Sequence, residues 1–117
     1  MRVYFTERQA DALIDRLDAY DAIADALGIS GVEAWTSFET CVDIIASNLK
    51  AAKFVSGPLS EMEKAILSDC IEGSTWVAKE MDGPYHTPAS IGAYRTLKNT
   101  TKKLRELGVE VNSIPYA

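Results

Sequence analysis

Between Trp35 and Ala52 the apolar side chains recur in an unbroken three-four alternation: Trp35, Phe38, Val42, Ile45, Leu49 and Ala52. At ~100° per residue this spacing stacks them on one face of a long helix. Such a face has to be covered by other elements, so it fixes the class of fold before anything else is read. Ser30 and Glu33 form a capping box that should open this helix, and Ser56-Gly57-Pro58 should end it.

The partners of that face are legible on either side. Met1 to Phe5 is rich in β-formers and reads as a strand. Thr6 and Gln9 form a capping box for a first helix, whose Leu13, Leu17, Tyr20, Ala24 and Leu27 share a face and whose stop is Gly28. Ser60 and Glu63 are a third box, opening a helix with Ile66, Leu67, Cys70 and Ile71 inward. Beyond it, Gly73-Ser74-Thr75 leaves two courses: the helix runs on to Met81, or Trp76–Met81 is a separate turn. Asp82-Gly83-Pro84 marks a turn, and Thr87-Pro88 a cap with proline at the first helical position. That last helix turns Tyr94, Leu97, Leu104 and Leu107 inward and stops at Gly108. Val109 to Ile114 reads as a closing strand, with Met1–Phe5 as its partner.

The expected fold is mainly α: a compact bundle of about four helices with a small two-stranded sheet from the chain termini. With 117 residues, 47% hydrophobic and 25% charged, residues 1–117 fit one globular domain. A chain of this length hides roughly two-thirds of its unfolded surface.

The charge pattern is the most informative functional feature. Residues 1–94 hold fifteen acids and seven bases, while residues 95–117 hold five bases and two acids, giving −8 and +3 and the net −5. Asp11, Asp15, Asp18 and Asp25 step by four, three and seven, so on one continuous helix they form a stripe nearly opposite Leu13 and Leu17. The ordinary role of such a stripe is a solvated face; its functional role would be to dock a basic partner. Arg95, Lys98, Lys102 and Arg105 step by three, four and three and make the converse, basic stripe, with Lys103 on another side. Cations near a helix C-terminus are favoured by its dipole alone, and they are also what a phosphate-contacting helix presents.

From Leu59 the chain resembles a winged helix-turn-helix. Leu59-Ser60-Glu61-Met62-Glu63-Lys64-Ala65-Ile66-Leu67 is similar to that family's first helix, with Trp76–Met81 standing as the short second one. Tyr94-Arg95-Thr96-Leu97, continuing through Lys102 to Val111, resembles a recognition helix running into a wing strand. The resemblance covers about half of the chain. It implies DNA binding through Arg95, Lys98 and Lys102, with Lys103 and Arg105 beside them. The acidity of the whole chain, with an isoelectric point near 4.8, runs against the basic character usual in DNA-binding domains.

Motifs for chemistry are sparse. The single His86 lies in Gly83-Pro84-Tyr85-His86-Thr87-Pro88, with no nucleophile elbow, and there is neither a Gly-x-Gly-x-x-Gly nor a Walker-type glycine loop. Cys41 and Cys70 sit among apolar neighbours and read as buried free thiols, so no metal site is expected. Asp69 and Glu72, one helical step apart, form the one carboxylate pair worth weighing for catalysis, and Tyr85 and His86 the loop side chains to weigh for ligand contact. No apolar run approaches the ~20 residues of a membrane span, and MRVYFTERQADAL is not a signal peptide, so a cytoplasmic protein is expected. The sequence therefore points to a small acidic, non-enzymatic interaction protein, a regulator or inhibitor without cofactor. It would bind a macromolecule with a basic surface, most simply a protein, through charged helical faces. A winged-helix DNA-binding regulator is the alternative, a small-ligand or nucleotide-binding sponge a third, and a homodimer is compatible with the two charged stripes.

Overall fold

Thr6 and Ser60 open helices as their capping boxes require. In the computed structural model, which describes residues 1–73 and 88–111, each hydroxyl accepts from the backbone N–H three residues on, while Gln9 and Glu63 reach back to the cap. The order is β1 (Arg2–Tyr4), α1 (Glu7–Asp18), α2 (Tyr20–Leu27), α3 (Val32–Ala52), β2 (Phe54–Ser56), α4 (Glu61–Glu72) and α5 (Pro88–Glu106). The chain is thus mainly α, with five helices and one two-stranded antiparallel sheet among the described residues.

The face of α3 does what its spacing demands. Phe38, Val42, Ile45 and Leu49 are buried, in one cluster with Leu13 and Leu17 of α1, Ile23 of α2, Ile66, Leu67 and Ile71 of α4, and Leu97 and Leu104 of α5. Trp35, expected at the centre, is only partly buried and meets Phe38 edge-on at 5.7 Å, and Ala52 is exposed. The expected Ser30–Glu33 box does not form: Gly31, at φ 89°, is the N-cap, without a side-chain cap bond.

Three boundaries differ from the sequence expectation, each for a physical reason. The first helix is two. It stops at Asp18, turns through Ala19, whose N–H reaches only to the Arg16 carbonyl, and restarts at Tyr20. Asp15 and Asp18 sit at the C-terminal end of α1, where the helix dipole disfavours carboxylates, and Asp21 enters the first turn of α2, where it favours them. The turn re-phases the chain, so Ile23 is buried while Tyr20, predicted inward, is 41% exposed.

The stop of α3 comes earlier than Ser56-Gly57-Pro58. Lys53 takes the left-handed cap conformation at φ 58°, and this turn carries Phe54 and Val55 out of the helix and into the core as a strand. The freed Phe54–Ser56 then pairs with the N-terminus.

Among the described residues the sheet is therefore built from β1 and the mid-chain β2, and not from the two termini. Val3 faces Val55, with Arg2 opposite Ser56 and Tyr4 opposite Phe54. Phe5 N–H to the Lys53 carbonyl and Gly57 N–H to the Met1 carbonyl, each 2.7 Å, extend the ladder at both ends. Among the described residues Val109–Val111 is not a strand. Val109 and Val111 are nevertheless buried, held by Ser68 Oγ donating to the Glu110 carbonyl at 2.7 Å. Trp76–Met81, the turn at Asp82-Gly83-Pro84, Thr87, and the remainder of the closing segment lie outside the described residues; α4 itself ends at Glu72 with Gly73 as cap.

Phe38 is fully buried. Phe38→Ala is expected to destabilise the protein by about 3–5 kcal/mol in denaturant unfolding, and Trp35→Ala by clearly less. Deleting residues 1–5 should also lower the unfolding midpoint, because it strips β2 of its only ladder partner among the described residues.

Candidate macromolecular interface

The charged stripes singled out in the sequence are spread over three helices. Asp11 and Asp15 are exposed on α1, with no cationic partner among the described residues. Asp18 is exposed too, with a loose contact of 3.6 Å to Lys50 of α3. Asp25 is exposed but stands on α2, beyond the turn at Ala19, so it does not continue the stripe of α1.

On α5, Arg95, Lys98 and Lys102 are exposed, again without an anionic partner among the described residues. Arg105 is exposed and donates to the Val111 carbonyl at 3.3 Å. Lys103 has a structural task. Its ammonium donates to Gln9 Oε1 at 2.7 Å and stands 5.5 Å above the Phe5 ring. That same oxygen accepts the Thr6 N–H of the capping box at 2.9 Å, so one side-chain carbonyl joins the start of α1 to α5.

The turn at Ala19 creates something the periodicity concealed. Tyr20, at the head of α2, lines a small surface depression with Glu39, Val42 and Asp43 of α3. No signal in the sequence marks this grouping, because Tyr20 fits the core alternation of an uninterrupted helix. It broadens the acidic side of the molecule and sets an aromatic ring within it. A second shallow depression, between α4 and the turn after α5, mixes Glu61 and Lys64, which pair at 3.5 Å, with Ser68 and Glu110.

Asp69, weighed with Glu72 as a carboxylate pair, ties two helices together. Asp69 accepts from Arg16 Nη2 at 3.1 Å, both side chains being more than four-fifths buried. Arg16 Nε is buried without a hydrogen-bond partner, and the guanidinium lies against Gly73, where any Cβ would collide with it.

Cys70 is buried and free, and burial, helped by the Asp69 charge and opposed by Arg16, pushes its thiol up from 9.0 to about 12. Cys41, partly exposed, is also raised, by burial and then by Glu63. Neither thiol has the lowered pKa of a nucleophile. Among the described residues no three His, Cys, Asp or Glu side chains converge as a metal site would need, and no helix is long and apolar enough to cross a membrane. Tyr85 and His86 lie outside the described residues. No protein-family model matches the chain, and the searches of curated proteins and of solved structures found no match either.

Two measurements follow from the buried pair and the thiol. Arg16→Ala should cost about 2 kcal/mol of stability, since it leaves the Asp69 carboxylate largely buried without its charged donor. A thiol raised in the folded state holds its proton where the unfolded chain has lost it. Cys70 is therefore neutral to stability below about pH 8 and should destabilise the fold progressively as the pH rises from 9 towards 12. Chemical unfolding of the wild type against Cys70→Ala across that range should show the two curves diverging.

Proposed function

We propose that the protein is a non-enzymatic cytoplasmic interaction protein, a regulator or inhibitor, that docks a basic macromolecular surface through the acidic face of α1. The supporting observation is the exposure of Asp11 and Asp15, two helical neighbours that form no ion pair among the described residues. Like charges one turn apart repel, so the face carries a small standing penalty that a basic partner would relieve. Asp18 extends it, and Tyr20, Glu39 and Asp43 lie on the adjoining helices. Complementary potentials of this kind chiefly speed encounter and select the partner, leaving the affinity to contacts at the interface centre.

A second reading has its own observation. Arg95, Lys98 and Lys102 are exposed and unpaired among the described residues, the arrangement of a phosphate-contacting helix. Under it the protein is the winged-helix DNA-binding regulator, reading through α5.

Capture from a native lysate, run with and without nuclease, separates the two. Asp11→Lys, Asp15→Lys and Asp18→Lys together should weaken retention of the partner by tenfold or more, about 1.4 kcal/mol, while Arg95→Glu with Lys98→Glu leaves it nearly unchanged. Circular dichroism would first confirm that both variants are folded. Loss of capture on the α5 reversal alone would overturn the acidic-face proposal and favour nucleic acid.

A further inference from the structure

The acidic face of α1 and the basic face of α5 are matched in spacing, yet no ion pair joins them among the described residues. On α1, Gln9 marks the side turned towards α5, since it holds Lys103. At ~100° per residue, Asp11, Asp15 and Asp18 lie about 120–180° round from it. On α5, Lys103 marks the side turned towards α1, and Arg95, Lys98 and Lys102 lie about 80–140° round from that. The two helices are neighbours, and the centres of their charged faces are turned away from the Gln9–Lys103 contact.

We infer that a second copy of this chain docks between these faces, head to tail, with the basic face of α5 of one copy against the acidic face of α1 of the next. The steps fix the pairing. Asp18, Asp15 and Asp11, taken backwards, step by three and four, as Arg95, Lys98 and Lys102 do taken forwards. Antiparallel helices therefore bring Asp18 to Arg95, Asp15 to Lys98 and Asp11 to Lys102, over about 10 Å of each axis. A parallel alignment would match Asp11, Asp15 and Asp18 to Lys98, Lys102 and Arg105, but Arg105 already donates to the Val111 carbonyl. The antiparallel register uses the three cations that have no partner among the described residues. Because the two faces differ, the contact is heterologous and each copy keeps one face open for the next. This goes beyond the proposed partner docking and shares with it only Asp11, Asp15 and Asp18, for which a second copy and a foreign partner would compete.

The test is the solution mass by sedimentation equilibrium at high protein concentration, across about 20–500 mM salt, where the screening length falls from about 20 Å to a few ångströms. The wild type should exceed the monomer mass at low salt and return to it at high salt. The neutral variants D11N/D15N/D18N and R95Q/K98Q/K102Q should each raise the dissociation constant at least tenfold, with unchanged circular dichroism. Mixed in equal amounts, they should form a dimer and stop there, since only one competent face remains on each. A wild type that is monomeric throughout, either variant assembling as the wild type does, or a mixture that stays monomeric would overturn the inference. None of these outcomes bears on lysate capture by the Asp reversals at dilute concentration, so the two proposals fail separately.

Discussion

Burial of one face of α3 is the constraint that the remaining elements answer. Phe38, Val42, Ile45 and Leu49 are 0–6% exposed, and α1, α4 and β2 all pack on this helix. Each fully buried apolar side chain of this size contributes about 1.5–3 kcal/mol against exposure. The stripe thus carries a sizeable share of the driving force, and it leaves the opposite side of α3 to solvent. The other helices then have one inward side each, which is why the charges of α1 and α5 end up on outward ones.

That logic explains what could be read from the sequence and what could not. The capping boxes at Thr6 and Ser60 and the glycine stops at 28 and 108 are local devices, complete within a few residues, and they appear where the residues place them. The turn at Ala19 is not local in that sense. No glycine or proline announces it, Tyr20 suits either course, and only the burial of Ile23 decides. Lys53 is similar: a lysine in the left-handed region has no sequence signature, so the end of α3 and the whole of β2 were hidden in what looks like continuing helix. The choice of β2 over the closing segment as partner of β1 is a tertiary matter, settled where α3 delivers its C-terminus.

The candidate interface was legible to a similar depth. Exposure of the Asp11–Asp15–Asp18 face and of Arg95, Lys98 and Lys102 follows from phase alone. Lys103 does not, because its partner Gln9 lies 94 residues away. Nor does the meeting of Tyr20 with Glu39 and Asp43, which exists only because the first helix is broken.

Gly73 carries a consequence of a different kind. Its φ of −88° is open to every L-amino acid, so nothing in its backbone calls for glycine. What crowds a side chain there is the Arg16 guanidinium lying across it, together with the Asp69 carbonyl and carboxylate, 3.0 and 3.1 Å from where a Cβ would stand. Tolerance at position 73 is therefore tied to positions 16 and 69: an added methyl group displaces the guanidinium, and Asp69 has to give by a few tenths of an ångström whatever stands at 16. Positions 16 and 73, 57 residues apart, are thereby coupled, since a methyl group gained at one displaces the cation that the other contributes to the Asp69 pair.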